Sequence, residues 1–194
     1  MVVAGSDTLG FVFVVGDVGA DNITAATWNS VGMTKIGAVE SPGDRFMSAW
    51  LVNAPASATT ISFTGGAFWR SYSFYYTGAG NTQPDAFATN TASSSATIFV
   101  TVNVVATNCW TIMCQKDNTG NLTYTTDVGA MRQDTDAGGI AISDSAGIVD
   151  IGNNTTTLTA ASGTPTHGAI SFSIRATDSV VTVGSKNLTL IDVG

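Results

Sequence analysis

The side chains of this chain that could carry chemistry are its 14 acidic residues, a single histidine and two cysteines. General acid–base or covalent catalysis needs two carboxylates brought to one bond, or a nucleophile beside a base. The acids stand mostly among turn-forming residues, at Asp17, Asp21, Asp44, Asp85, Asp117, Asp134, Asp136, Asp144 and Asp150, with Glu40 as the one glutamate. Whether two of them flank a glycosidic bond is a tertiary property that spacing does not reveal. No serine or cysteine motif accompanies the lone histidine, so no triad is spelled out and the sequence predicts a non-enzymatic protein.

Two loops concentrate oxygen ligands of the kind a hard cation takes, Gly16-Asp17-Val18-Gly19-Ala20-Asp21-Asn22 and Arg132-Gln133-Asp134-Thr135-Asp136. Neither has the spacing of a calcium loop, and both read as turns in which the Asp side chain bonds nearby backbone. Asp144 is a candidate partner for Arg132 inside the fold, a pair that would serve structural specificity. Cys109 and Cys114 are an odd number of positions apart, which sends them to opposite faces of a strand. Five extended residues span about 16 to 18 Å, too far for a disulfide, so both are expected as buried free thiols. His167 lies in Gly-Thr-Pro-Thr-His-Gly and is expected at the surface, in a turn, with no second ligand for a metal beside it. No metal or cofactor motif is present.

Charged residues are 11% of the chain, against ~25% in an ordinary soluble protein, so Ser, Thr, Asn and Gly must cover most of the exterior. The net charge of −7 comes with scattered Lys and Arg, which argues against a phosphate-tracking groove and hence against nucleic acid. The longest apolar run, Phe11 to Val15, is too short to span a bilayer, and no basic segment precedes an apolar stretch at the start. The expectation is a soluble chain made in a cytoplasm, with no membrane partner. Asn-X-Thr matches at Asn22, Asn121, Asn153, Asn154 and Asn187 are what a chain rich in Asn and Thr shows by chance.

The elements that would position these residues are strands. Ile98, Val100, Val102 and Val104 alternate with Thr97, Phe99, Thr101 and Asn103, and Ile170, Phe172 and Ile174 alternate with Ser171, Ser173 and Arg175. With these two included, strands are predicted over 8–18, 23–28, 31–39, 45–53, 58–64 and 68–77, then, after a polar break from Gly78 to Ser94, over 96–106, 109–115, 122–126, 139–143, 155–160 and 169–177. Helical periodicity with caps is missing throughout. Phe11 to Val15 is apolar at every position and should be a central strand covered on both faces. About a dozen short strands predict an all-β fold, a two-sheet β-sandwich of jelly-roll-like kind.

Trp28, Trp50, Trp69 and Trp110 fall in or beside strands and read as core anchors. The segment Phe68 to Tyr76 has aromatics on both faces, so one side packs under a loop or meets a partner. Trp69, Tyr72 and Tyr75 are the candidate contacts there, for a neighbouring protein or for stacked sugar rings.

In order along the chain, several motifs resemble a family of β-sandwich proteins met among phage virion proteins and phage-like gene clusters. They are Asp7-Thr8-Leu9-Gly10-Phe11-Val12-Phe13-Val14, then Ala26-Thr27-Trp28-Asn29-Ser30-Val31-Gly32-Met33-Thr34-Lys35-Ile36, then Trp50-Leu51-Val52-Asn53-Ala54-Pro55-Ala56. Tyr75-Tyr76-Thr77-Gly78, Gln83-Pro84-Asp85-Ala86, Asn108-Cys109-Trp110-Thr111-Ile112-Met113 and Ile142-Ser143-Asp144-Ser145 follow, and the similarity covers about residues 5 to 177. This chain has Asn29-Ser30 where the family's hairpin often has Asn-Gly. The resemblance carries no catalytic motif.

It implies a virion structural protein, a capsid decoration or a tail or fibre component, that self-assembles into a homo-oligomer and docks on other virion proteins. Its location would be the virion, after synthesis in a host cytoplasm. The competing expectation is a carbohydrate-binding module that attaches to surface glycans through the Phe68 to Tyr76 aromatics. Residues 1–177 form the expected β-sandwich domain, and 178–194 a C-terminal β-arm. In that arm Val180 to Val183 and Asn187 to Ile191 read as two β-pieces split by Gly184-Ser185-Lys186. Leu188, Leu190 and Ile191 would pair with a neighbouring subunit's edge or close the parent sheet.

Overall fold

The computed structural model describes residues 8–16, 20–41, 45–53, 60–66, 70–79, 84–120, 122–133, 139–176 and, as backbone, 182–186. Its strands are β1 (Thr8–Gly16), β2 (Ala25–Trp28), β3 (Val31–Gly32), β4 (Thr34–Ser41), β5 (Arg45–Asn53), β6 (Ile61–Thr64), β7 (Arg70–Thr77) and β8 (Phe87–Ala92). They continue with β9 (Thr97–Val104), β10 (Cys109–Asp117), β11 (Tyr124–Thr126), β12 (Ala130–Gln133), β13 (Ile140–Asp144), β14 (Gly152–Ala160), β15 (His167–Arg175) and β16 (Thr182–Lys186). The protein is all-β, and each of these pairings is antiparallel.

Hydrogen bonding divides the strands among four sheets: β16-β7-β1-β5-β4, β12-β13-β10-β15-β8, β11-β14-β9 and β3-β2-β6. Side-chain alternation explains why two sheets do not suffice. From β1, Leu9, Phe11, Phe13 and Val15 enter a core shared with Trp110, Ile112 and Cys114 of β10 and with Ile170, Phe172 and Ile174 of β15. Val12 and Val14 point the other way, onto Trp28 of β2 and Ile61 of β6. A strand apolar on both faces needs cover on both, and the small β3-β2-β6 sheet supplies the second. On the far side, Ile98, Val100, Val102 and Val104 of β9 pack onto Met113 of β10 and Ala169 of β15 in a third core.

Cys109 and Cys114 are free, buried, and placed in different cores on opposite faces of β10. Burial, and for Cys109 also the nearby Asp85 carboxylate, makes the thiols poor thiolates, with Cys109 pushed up to about 11. Trp28, Trp50 and Trp110 are core residues; Trp69 lies outside the described residues.

The expected strand over 31–39 is divided at Met33 into β3 and β4, which join different sheets, and three other strands, β8, β12 and β16, also depart from the sequence reading. β8 runs through the expected polar break, because its half-buried positions Ala88, Asn90 and Ala92 are too small or polar to signal burial. It is an edge strand held by β15. β12 pairs with β13 although none of its residues is fully buried. β16 crosses the expected break at Gly184-Ser185-Lys186 and pairs with β7 of the same chain, where a missing or small side chain does not interrupt the backbone ladder. Leu188, Leu190 and Ile191 lie outside the described residues.

The β2–β3 hairpin turns through two residues with positive φ, Asn29 at 52° and Ser30 at 67°, between the paired Trp28 and Val31. That is a type I′ turn, in which serine is strained and glycine is not. Ser30→Gly is expected to raise stability by about 0.5–1 kcal/mol, read as a higher urea midpoint at unchanged slope.

Candidate functional site

Gln115 and Asp117 end β10 on the face that looks toward β9 and β11, and both are fully buried. Asp117 sits opposite His167, the first residue of β15. The Asp117 Oδ1 accepts from the backbone N–H of Thr119 (2.7 Å) and Gly120 (2.8 Å) and from the Thr119 hydroxyl (2.9 Å). Its Oδ2 accepts from the Tyr124 hydroxyl at 2.7 Å. Burial by itself would raise the Asp117 carboxyl, but the bonds from Tyr124, Gly120 and Thr119 outweigh it and hold the group below its ordinary value. The Tyr124 phenol is pushed well up, first by burial and then by the Asp117 carboxylate. A Cβ on Gly139 (φ +65°) would meet that carboxylate at 2.6 Å, so only glycine fits beside it.

His167 is not the surface residue its turn-like context suggests. It opens β15 instead of preceding it, and its ring is buried against Tyr124 with centroids 6.0 Å apart. Its Nδ1 lies 3.0 Å from Gln115 Oε1 and its Nε2 2.8 Å from the Ser95 carbonyl, in the turn between β8 and β9. These polar partners, supplied by distant parts of the chain, are what permit an imidazole to leave water. The fully buried Lys116 and the Arg45 guanidinium both donate to the Asp117 carbonyl, Arg45 at 3.0 Å.

Burial lowers the basicity of His167 below its ordinary value, while the Ser95 carbonyl and Asp117 pull it back up. The unfolded chain therefore binds the proton first, below pH ~6.5. Stability from this group is complete above that pH and declines as pH falls toward the folded midpoint. Urea midpoints measured from pH 8 to pH 5 should slope downward on acidification, and His167→Gln should remove that part of the slope.

A second buried carboxylate, Asp144, joins the layers elsewhere. Arg132 grips it through Nε (2.6 Å) and Nη2 (2.8 Å), the pairing expected from sequence. The Tyr76 hydroxyl reaches it from β7, across the core, at 3.0 Å, and the Ala146 N–H donates at 2.9 Å.

Of the aromatic candidates, Tyr72 faces the large core and is buried, whereas Tyr75 is half-buried on the opposite face of β7, beside Gly10 and Gly184. Odd spacing keeps them apart, so they form no common platform, and Trp69 lies outside the described residues. The aromatic that does stand out is Phe99, 52% exposed on β9. On either side of it are Thr97, Thr101 and Asn103, and across the ladder Asn153, Thr155, Thr157 and Thr159 of β14. Thr101 and Thr155 share a hydroxyl bond of 2.7 Å. The β9 alternation marks Phe99 as outward-facing from sequence alone; its neighbours on β14 follow only from the register.

Among the described residues, no group of three or more His, Cys, Asp or Glu is placed to hold a metal, and no helix is long and apolar enough to cross a membrane. Comparison with family models, curated proteins and solved structures finds no match to this chain.

Proposed function

We propose that this chain is a non-enzymatic structural protein of a phage virion, a capsid decoration or a tail or fibre component. It works by self-association and by docking on other virion proteins, and resides in the particle after synthesis in the host cytoplasm. The two five-stranded sheets then serve as the two layers of a jelly-roll-like β-sandwich, with the three-stranded sheets covering their outer faces.

The observation that carries this reading is the outer face of β9 and β14. Its side chains along the paired stretch are Thr, Asn and one central Phe, without a charge, and Phe99 is exposed. An uncharged face with an aromatic at its centre suits a protein partner, since interface cores are depleted in charge and enriched in aromatics. The fully buried aspartates, Asp117 and Asp144, are occupied by structural hydrogen bonds, which fits a scaffold.

Mass spectrometry of purified virions, counted against the major capsid protein, tests the proposal. A fixed copy number per particle supports it, and absence from particles overturns it. Phe99→Asp is expected to cut incorporation at least tenfold while leaving the urea midpoint almost unchanged, because an exposed site contributes within about 0.5 kcal/mol to folding.

A further inference from the structure

His167 is the one histidine of the chain, and both of its ring nitrogens face oxygen atoms. A backbone carbonyl only accepts, so the Nε2 beside Ser95 carries a proton. The Gln115 amide nitrogen is turned away from the ring and donates to the Gly139 carbonyl at 3.3 Å, which leaves Oε1 facing Nδ1. An amide oxygen also only accepts. The arrangement is therefore complete for an imidazolium, which donates from both nitrogens, and places two lone pairs face to face for a neutral ring.

A neutral ring regains its partner if the Gln115 amide rotates by half a turn and donates to Nδ1. The rotation keeps the bond from the Asp117 N–H to the Gly139 carbonyl at 2.8 Å but turns Gln115 Oε1 toward that oxygen, so the neutral state trades the acceptor contact at Nδ1 for one at Gly139. The rotation also reaches Asp117 in another way. The Gln115 side chain also bonds the Tyr124 hydroxyl, and after rotation that hydroxyl would lie between two acceptors, Gln115 and Asp117.

We propose that His167 and Gln115 form a proton-driven latch between the β8–β9 turn and the end of β10. With the ring neutral, Gln115 donates to Nδ1. With the ring protonated, the imidazolium bridges the Ser95 carbonyl and Gln115 Oε1, and Gln115 turns its nitrogen to Gly139. Among the described residues the groups that face this latch are few. β10 brings the Asp117 carboxylate, with Lys116 behind it on the Asp117 carbonyl; β11 brings Tyr124; and β5 brings Arg45 to that same carbonyl. Of the described residues there, the turn through Ser95 and Gly139 just ahead of β13 bring no titratable side chain. The carboxylate of Asp117 supplies the countercharge that lets a buried ring accept a proton without unfolding. The latch is independent of the docking role proposed for Phe99.

The full ¹⁵N-labelled chain has one imidazole, so its nitrogens are assigned without ambiguity in long-range ¹H–¹⁵N spectra. Between pH 8 and pH 4 the ring is expected to pass from the Nε2–H tautomer to the doubly protonated form while the backbone spectrum stays dispersed. The Gln115 side-chain amide signals should move with the same midpoint. Gln115→Glu is expected to raise the imidazole midpoint by about 1–3 pH units, and Gln115→Met to lower it. Gln115 signals that stay still through the imidazole titration overturn the latch, as does a ring that gains its second proton only when the dispersed spectrum collapses. Both readouts are made on the unaltered chain, so they decide the matter even if a variant fails to fold.

Discussion

Phe172→Ala is expected to lower the unfolding free energy by about 4 kcal/mol. The ring is fully buried between the two large sheets, with its centroid 5.0 Å from that of Phe11 and 5.9 Å from that of Phe13. Removing it forfeits the transfer of a phenyl group from water and leaves a hole walled by those rings. The walls have little freedom to close on it. β1 is hydrogen-bonded on both sides, to β5 over eight residue pairs and to β7 over eight, and β15 is similarly clamped between β10 and β8. Phe172→Leu retains most of the volume and should cost less than about 1.5 kcal/mol. Urea unfolding followed by tryptophan fluorescence measures both. A loss below about 1 kcal/mol for the alanine variant would mean that the sheets slide together, against the rigidity the double pairing implies.

Asp144→Ala is expected to cost about 3 kcal/mol, from a different cause. The carboxylate satisfies the Tyr76 hydroxyl and the Ala146 N–H as well as the Arg132 guanidinium. Arg132 remains 27% exposed and can turn to water once its partner is gone, so its share of the loss is modest. Tyr76 has no such escape: it is buried in the core against Phe11 and Trp110, and its hydroxyl would be left without its acceptor. Combining Asp144→Ala with Tyr76→Phe should therefore cost less than the sum of the two single changes, by about 1 kcal/mol or more. Strict additivity in that cycle would show that the bond across the core contributes nothing. Burial and the Asp144 carboxylate both hold the Tyr76 phenol well above its ordinary value, so removing Asp144 should make it easier to ionise at alkaline pH.

Much of the strand inventory was legible because alternation is a local property. β5 occupies the expected residues from Arg45 to Asn53, and Phe11 to Val15 lies in a strand covered on both faces. The opposed faces of Cys109 and Cys114 follow from counting alone. β8 was illegible because nothing large points inward from it, so its burial depends on β15, a strand nearly eighty positions away. The buried polar cluster was illegible for the same kind of reason. Gln115, Asp117 and His167 are ordinary turn-flanking or surface types, and only the register that sets His167 opposite Asp117 makes them partners. Arg132 with Asp144 was within reach because only 12 positions separate two opposite charges, so their pairing needs little of the tertiary fold.

Periodicity along the chain was enough to establish β structure, which side of each strong strand is apolar, and that the strand through Phe11 to Val15 must be covered on both sides. It could not say how many sheets share the work. Pairing between β1, β5 and β7, or between β9 and β14, joins segments far apart in the chain, and the energy of such contacts exists only once the layers meet. The interior hydrogen bonds of His167, Asp117 and Asp144 belong to that same late level, since a polar group leaves water only when the assembled fold offers it a partner.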